Sequence, residues 1–592
     1  RCYRNSGTID KCLILEMKLE ELIVLFLDCQ TTGSNPRKGS VVEIGWARSA
    51  SSQEYRFDLS SVNSYLLKQP IGDEIPERIQ AITGIGPDEL DAGYEPGEVW
   101  AELLSTADEI ARLNSLQRCP VVIHYAKFET PFLIHLHTRY SPTRGFPFKV
   151  ICSHVLAKRL FPELPRRSLR AIAGYFGYSL GQARRSREHV IATARVWQEM
   201  LRVLEEKLGI TTFERFQQWL DQPMLSTGRE RVYPMADEER QDLPDKPGVY
   251  RMLRSNGDVL YVGKASSIKK RVKSYFRKSS QHPEHILEML SQAKQLDVTA
   301  TGSILEAAIL ESDEIKRLSP PYNVALSRGE RDVWFCSSNL LEFSSKPDAK
   351  HRIGPLVSQD AVARLGAISH LVEVDDIPNA GDDDLMVALG IPETYMPDYE
   401  CARAGFAALL EKYASQFASG KTGLSLKMIA NNLWLERLAE KEAESEESDE
   451  LVLEREKIPM WTPETVCRLF ESNIVRGYYE LRRARWLVLL SESTIVWEEA
   501  GNKKAKRYLI LLEKGQVLYH RMINTEETPV PPGHVRSFSD RQRSFDLMTA
   551  DRLRVITTEI RKAVSSNKWI RLRLSPTNVL DNHALLKLFK WV

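Results

Sequence analysis

No run of apolar residues in this chain approaches the roughly 18–20 that a membrane-spanning helix needs. The longest near the start, Leu22-Ile23-Val24-Leu25-Phe26-Leu27, suits a buried strand, so no membrane partner is expected, and no secretory signal pattern is read. Cysteine is sparse: the eight lie at 2, 12, 29, 119, 152, 336, 401 and 467, and no two are separated by two to four residues. That excludes zinc-ribbon and iron–sulfur spacings, so neither zinc nor an iron–sulfur cluster is expected. Free buried thiols and a reducing cytoplasm are the expectation. Charge of one sign is not in excess either. Lys plus Arg number 81 and Asp plus Glu 80, for a net +1, with 43% hydrophobic residues. These totals exclude intrinsic disorder and a disulfide miniprotein.

What remains is a large globular chain of 592 residues, enough for roughly three to five domains. Residues 1–21 read as an arm or extension. Over 22–210 strands alternate with helices: an apolar run, the turn Thr31-Thr32-Gly33-Ser34-Asn35-Pro36, a strand at Ser40–Gly45, a strand at Val121–His124, and helices predicted at Ser153–Phe161, Ser168–Phe176 and His189–Leu208. This is α/β patterning. A polar stretch, 211–243, reads as a linker into a central unit at 244–328. Strand character comes next over 333–373 and helical character over 390–440, within a region spanning 329–440. The Glu-rich 441–458 reads as a solvated linker. The remainder, 459–592, mixes helix with strands at Tyr508–Leu512 and Trp569–Leu574, and Asp551 is placed in the first turn of a helix.

The central unit carries the densest pattern. Gly248-Val249-Tyr250 and Tyr261-Val262-Gly263 flank Asn256-Gly257, which predicts a hairpin with a two-residue turn. Met252 then faces Tyr261, and Tyr250 and Tyr261 project from one side as near diagonal neighbours. A helix capped at Ser266 or Ser267 would carry Arg271 and Tyr275 one turn apart. Lys246–Lys278 holds ten Lys or Arg against one Asp, an electrostatic footprint for a phosphate backbone. Ser303–Lys316 is helical, with Glu311 on the same side as Ile304, Ala308 and Ile315. An inward carboxylate needs a cation or hydrogen bonds. Glu306 and Glu314 are expected at the surface.

These residues, together with Asn323, resemble a GIY-YIG nuclease domain of the type found in the excision-repair protein UvrC and its shorter relative Cho. The resemblance implies an antiparallel sheet flanked by helices and a catalytic set of Tyr250, Tyr261, Lys264, Arg271, Tyr275, Glu311 and Asn323. It also implies one divalent metal, Mg²⁺ or Mn²⁺, on Glu311. Tyr261 would activate water, tuned by Tyr250 and Lys264, while Arg271 and Tyr275 would hold phosphate oxygens. Lys269, Lys270, Lys273, Arg277 and Lys278 are the expected DNA-binding residues. The region 329–440 resembles, more loosely, the segment on the C-terminal side of the nuclease in Cho-like proteins.

Asp28-Cys29-Gln30-Thr31-Thr32-Gly33, Ala81-Ile82-Thr83-Gly84-Ile85 and His124–Glu129 resemble DnaQ-type (DEDDh) exonucleases, which use four carboxylates, a histidine and two metal ions. Here Gln30 stands for a Glu, and Glu129 for an Asp. In the last motif, His189 as the general base puts Ala194 at the expected Asp. The preferred register, which keeps the adjoining helix in phase, puts His189 at the Asp and Arg184 at the His. Either way the site is degenerate. The fold class expected is multidomain α/β: an RNase H-like exonuclease fold, a small GIY-YIG α/β domain, and an α+β C-terminal region. The expected function is a cytoplasmic metal-dependent DNA endonuclease of excision repair, with DNA and a UvrB-like loader as partners and an inactive exonuclease-like domain. The rivals are a restriction or anti-phage nuclease, and a DNA-binding scaffold with both nuclease folds silenced.

Overall fold

The computed structural model describes residues 17–51, 61–69, 75–181, 184–223, 232–277, 281–323, 332–374, 382–391, 396–418, 420–443, 461–499, 506–523, 536–543, 545–575 and 577–589. The chain divides into two compact units: Arg1–Ala300 with Pro320–Val324, and Thr301–Ser319 with Ala325–Val592. Among the described residues no helix is long and apolar enough to cross a membrane.

The first unit opens with a five-stranded sheet of β1 (Ile23–Thr31), β2 (Val41–Ala50), β3 (Asn63–Leu66), β4 (Cys119–Ile123) and β5 (Phe148–Cys152), in the order β3-β2-β1-β4-β5. β1 pairs antiparallel with β2 and parallel with β4. Its apolar run is continuous because both faces are covered. Val24 and Phe26 enter one core with Trp197 and Phe216, while Leu25 and Leu27 enter another with Trp100 and Phe132. The predicted helices are present as Ser153–Leu160, Leu169–Tyr175 and Ser186–Leu208, with Ser168 capping the second. The helix Phe213–Asp221 lies in the stretch read as a linker. It buries Phe213 and Phe216, and Leu19 N–H donates to Thr211 C=O, so residues 17–22 and 211–221 complete this domain.

The second part of the unit is a three-stranded antiparallel sheet, β6 (Gly248–Leu253), β7 (Val259–Ala265) and β8 (Gln295–Ala300), with β6 central. Met252 faces Tyr261, as the hairpin pattern predicts. The turn differs. Arg254 N–H donates to Asp258 C=O and Gly257 N–H to Arg254 C=O, with Gly257 at φ +87° and no positive φ at Asn256. This is a three-residue loop, and a register shift after Met252 absorbs the extra residue. Helices Ile268–Tyr275 and Glu284–Leu290 cover one face, and Met235 and Leu243 join their core from the end of the stretch read as a linker.

In the second unit, the helix Ile304–Leu318 buries Leu305 and Ile309 in a core shared with the helices Pro463–Leu490 and Leu547–Ser565. Three short strands, β9 (Trp334–Cys336), β10 (Phe343–Ser344) and β11 (Ile353–Leu356), form one sheet. The predicted strand character ends there. Asp360–Val374 is a helix, because Val362, Leu365, Ile368 and Leu371 recur at helical spacing and are buried. The helical stretch beyond it ends on Thr422–Ala443, and residues 444–460, most of the acidic segment, lie outside the described residues. The last sheet is five-stranded and antiparallel, built from β12 (Thr494–Glu499), β13 (Lys506–Glu513), β14 (Gln516–Ile523), β15 (Ile570–Arg573) and β16 (Val579–Leu580) in the order β14-β13-β12-β15-β16. Asp546, not Asp551, caps Leu547–Ser565. Asp551 is buried and pairs with Lys316 at 3.2 Å.

Phe216 is fully buried, 5.7 Å from the Trp197 ring. Phe216→Ala is expected to lower the protection of amides in Ser186–Leu208 by about 3–5 kcal/mol, read by hydrogen exchange; unchanged protection would show that this helix is not part of the core.

Candidate active site

The hairpin β6–β7 and the helix Ile268–Tyr275 bring four predicted residues together. Tyr250 is fully buried because its ring lies over Gly263, its cross-strand partner, where any Cβ would overlap the Tyr250 hydroxyl and crowd the Tyr261 ring. The Tyr250 and Tyr261 rings are 6.1 Å apart between centroids. The Tyr250 and Tyr275 hydroxyls share a hydrogen bond of 2.9 Å. Arg271 lies over the Tyr275 ring, 5.1 Å from its centroid, and its Nη2 reaches the Tyr275 hydroxyl at 3.4 Å.

Burial, reinforced by Tyr275 and Tyr261, pushes the Tyr250 hydroxyl well above the usual phenol range. Tyr250 is therefore a neutral hydrogen-bonding group. Partial burial pulls Arg271 down, but the oxygens of Tyr250, Tyr275 and Tyr261 outweigh it and its net shift is upward, so it stays a cation. Tyr275, expected to hold phosphate, is buried with its hydroxyl engaged by Tyr250. It orients neighbours rather than presenting itself to solvent. Tyr261 and Lys264 are half-buried.

Asn323 does not present a free amide. Its Oδ1 accepts from Val262 N–H at 2.9 Å and its Nδ2 donates to Val262 C=O at 2.8 Å, both buried. It acts as a one-residue strand, pinning β7 between Tyr261 and Gly263. Lys269, Lys270, Lys273 and Arg277 are exposed around the helix that Ser267 caps, and Lys278 lies outside the described residues.

Glu311 stands on Ile304–Leu318 in the second unit and is half-buried, on the side of buried Ala308 and Ile315. Glu306 is also half-buried, and Glu314, expected at the surface, is 6% exposed. The expectation failed because this helix is covered on more than one side. Leu305 and Ile309 enter the core, while Asp313 pairs with Arg552 at 2.9 Å and Lys316 with Asp551.

In the exonuclease-like domain, His189 Nδ1 lies 3.1 Å from Asp28 Oδ1, and Gln30 Nε2 donates to Asp28 Oδ2 at 2.9 Å. His189 thus lies beside Asp28 and Gln30. Arg184 is exposed, near Gly84. Glu129 is buried and accepts from Cys29 N–H at 3.1 Å. Burial, then the nearby Asp28, pushes its carboxyl well above the usual range. Burial likewise drives His124, held at 2.9 Å from Ser153 Oγ, down to about 3. Among the described residues no group of three or more His, Cys, Asp or Glu is placed to hold a metal ion.

One residue in this domain was missed. Glu43, 2% exposed, accepts from Ser186 N–H at 2.8 Å and Arg185 Nε at 3.0 Å, fixing the start of Ser186–Leu208. Its signal was a charge inside the apolar run Val41–Ile44.

This geometry gives two expected outcomes. Asn323→Asp removes the amide donor and sets a carboxylate against Val262 C=O. It is expected to cost about 1–3 kcal/mol or more, read as faster exchange of the Val262 amide. Glu129 has a folded pKa above its unfolded value of about 4.3, so its contribution is full below that pH and is lost as pH rises toward the folded value. Glu129→Gln should therefore flatten the fall in melting temperature above about pH 4.3; an unchanged slope would place that titration elsewhere.

Comparison with known proteins matches residues 246–324 to the UvrC-like GIY-YIG domain and residues 25–189 to the exonuclease family. The UvrABC system protein C of Gluconobacter oxydans is 36% identical over 122 residues, 21% of this chain and 19% of that protein. That of Clostridium perfringens is 49% identical over 84 residues, 14% of each. The chain thus spans no more than 19% of the length of these relatives. Among solved structures, the GIY-YIG N-terminal endonuclease domain of UvrC from Thermotoga maritima, bound to its catalytic divalent cation magnesium, is 31% identical with a TM-score of 0.14, covering 15% of this chain and 94% of that one. The nuclease domain of 3'hExo, a DEDDh family member bound to rAMP, is 15% identical with a TM-score of 0.26, covering 31% of this chain and 92% of that one. The chain joins a DEDDh-like exonuclease domain to a UvrC-like GIY-YIG domain.

Proposed function

We propose that this protein is a metal-dependent DNA endonuclease that nicks phosphodiester bonds at its GIY-YIG centre, in excision-type repair. The observation that carries the reading is the joining of Tyr250, Tyr261, Arg271 and Tyr275 into one cluster of hydrogen-bonded and packed rings beside an exposed row of Lys269, Lys270, Lys273 and Arg277. Phosphodiester hydrolysis needs an activated water and a fixed positive charge where phosphate charge grows. Arg271, kept cationic among the phenols, meets non-bridging oxygens. Tyr261, at the less buried end of the cluster, takes the proton from the attacking water at its hydroxyl oxygen, and Lys264 favours its anionic form. Tyr250 and Tyr275 hold that arrangement through their shared hydrogen bond.

Glu311 would hold the one Mg²⁺ or Mn²⁺. A lone carboxylate with water completing the shell fits Mg²⁺, which binds through one or two carboxylates and keeps several waters. When bound, the cation polarises the phosphate and the leaving oxygen. Gln30 in place of a Glu, Glu129 in place of an Asp, and His189 beside Asp28 favour a binding or supporting role for the exonuclease-like domain over two-metal 3′–5′ exonuclease chemistry. The likeness of the GIY-YIG segment to UvrABC system protein C favours a UvrB-like loader as partner.

The test is cleavage of end-labelled duplex DNA, with and without a bulky adduct, in Mg²⁺ or Mn²⁺. Glu311→Ala is expected to lower the rate by about a thousandfold or more, the several kcal/mol that a bound cation supplies. Arg271→Ala is expected to lower it by about a hundred- to a thousandfold, and Asp28→Ala should leave it unchanged. A mononucleotide ladder lost in Asp28→Ala would instead assign the activity to the exonuclease-like domain.

A further inference from the structure

The two nuclease-like domains of the first unit are joined by a chain of polar contacts that the mechanism above does not use. The helix Leu169–Tyr175 begins at Ser168, whose Oγ accepts from Ala171 N–H at 3.2 Å and donates to Glu288 Oε2 at 2.5 Å. The other oxygen of Glu288 accepts from the Tyr322 hydroxyl at 2.8 Å. Hydrogen bonds from a hydroxyl to a carboxylate are directional. Tyr322 directly precedes Asn323, which pins Val262 by both its backbone groups between Tyr261 and Gly263.

A second branch reaches the turn of the same hairpin. Gln292 is fully buried, donates to the Tyr322 hydroxyl at 2.5 Å and accepts from Arg254 Nε and Nη2 at 3.2 and 3.0 Å. It lies under Gly174 of the same exonuclease-like helix, where any Cβ would overlap its amide. Asn256, in the turn, donates to Gly177 C=O at 3.0 Å. The strand that carries Tyr261 is therefore tied to the segment 168–177 both through Val262 and through the turn that leads into it.

We propose that the exonuclease-like domain is a positioning element of the GIY-YIG centre, in which Ser168 acts through Glu288 and Tyr322 to set the strand that carries Tyr261. This rests on the endonuclease reading of that centre. A three-stranded sheet is a small platform, whereas a reacting hydroxyl has to be held within about 0.5 Å. The relay supplies restraint from a larger sheet, which explains the close fit at Gly174. Ser168, Glu288 and Tyr322 are positioning residues, since none touches the reacting atoms.

The test compares two substitutions at Ser168 in the full chain. Asp and Asn both cap helices well, so neither removes the start of Leu169–Tyr175. Ser168→Asp sets a carboxylate against Glu288, whereas Ser168→Asn offers it an N–H. In Ser168→Asp, kcat for DNA cleavage is expected to fall by about tenfold or more with KM for DNA within about twofold, and exchange of the Val262 amide to accelerate. Ser168→Asn is expected to restore both. Natural kcat and natural Val262 exchange in Ser168→Asp would overturn the proposal. Glu311→Ala separates this inference from the reading beneath it, because it should abolish cleavage with Val262 exchange unchanged. If the natural protein cut no DNA, the endonuclease reading would fall, and the Val262 exchange of Ser168→Asp would still decide whether the relay holds the strand.

Discussion

A buried hydroxyl has to find a partner, and that of Tyr250 has few available. Its ring is fully buried over Gly263, and the groups that reach its hydroxyl come from the helix Ile268–Tyr275. Tyr275 does so at 2.9 Å, and a buried polar group left without a partner costs about 1–3 kcal/mol. That requirement locks the helix to the hairpin in one register. Arg271, one turn earlier on the helix, is thereby brought to the same phenols. The glycine at 263, the helix register and the arginine's place are consequences of packing one tyrosine inside.

The same unit holds two nuclease-like domains that treat their charges differently. In the exonuclease-like site the carboxylates are engaged locally: Asp28 by Gln30 and His189, and Glu129 by the Cys29 amide. Glu43 is occupied in holding a helix N-terminus. In the GIY-YIG cluster the Tyr250 and Tyr275 hydroxyls satisfy each other, and the guanidinium of Arg271 stays charged beside them.

The sequence made periodic features legible and closely packed ones less so. The run Leu22–Leu27, the helices from Ser168 and toward Leu208, and the pairing of Met252 with Tyr261 are set by period, caps and turn residues. Even there the loop Ser255-Asn256-Gly257 took one residue more than the Asn-Gly signal implied, and a bulge restored the register. Asn323 could be singled out only by resemblance, because an amide that pairs with a strand 61 residues away leaves no local signature. Glu314 and Asp551 were misplaced for a related reason. A helical wheel reports one face, and Ile304–Leu318 is covered on more than one.

That double covering bears on Glu311 itself. At 3.6 residues per turn, Asp313 and Lys316 lie about 60° apart on the helix and about 140–160° from Glu311. Both are engaged, Asp313 with Arg552 and Lys316 with buried Asp551. Buried ion pairs add little net stability, because desolvation offsets the attraction, but breaking one strands a charge. A rotation of the helix by one residue would strand two. The pairs therefore act on register, and a helix held in register on that side turns Glu311 in a fixed direction on the other. For the carboxylate proposed to hold the divalent cation, that fixes the direction from which it would bind. The charged residues that look like a cost of folding in the second unit thus set the orientation of the one carboxylate on which the proposed chemistry depends.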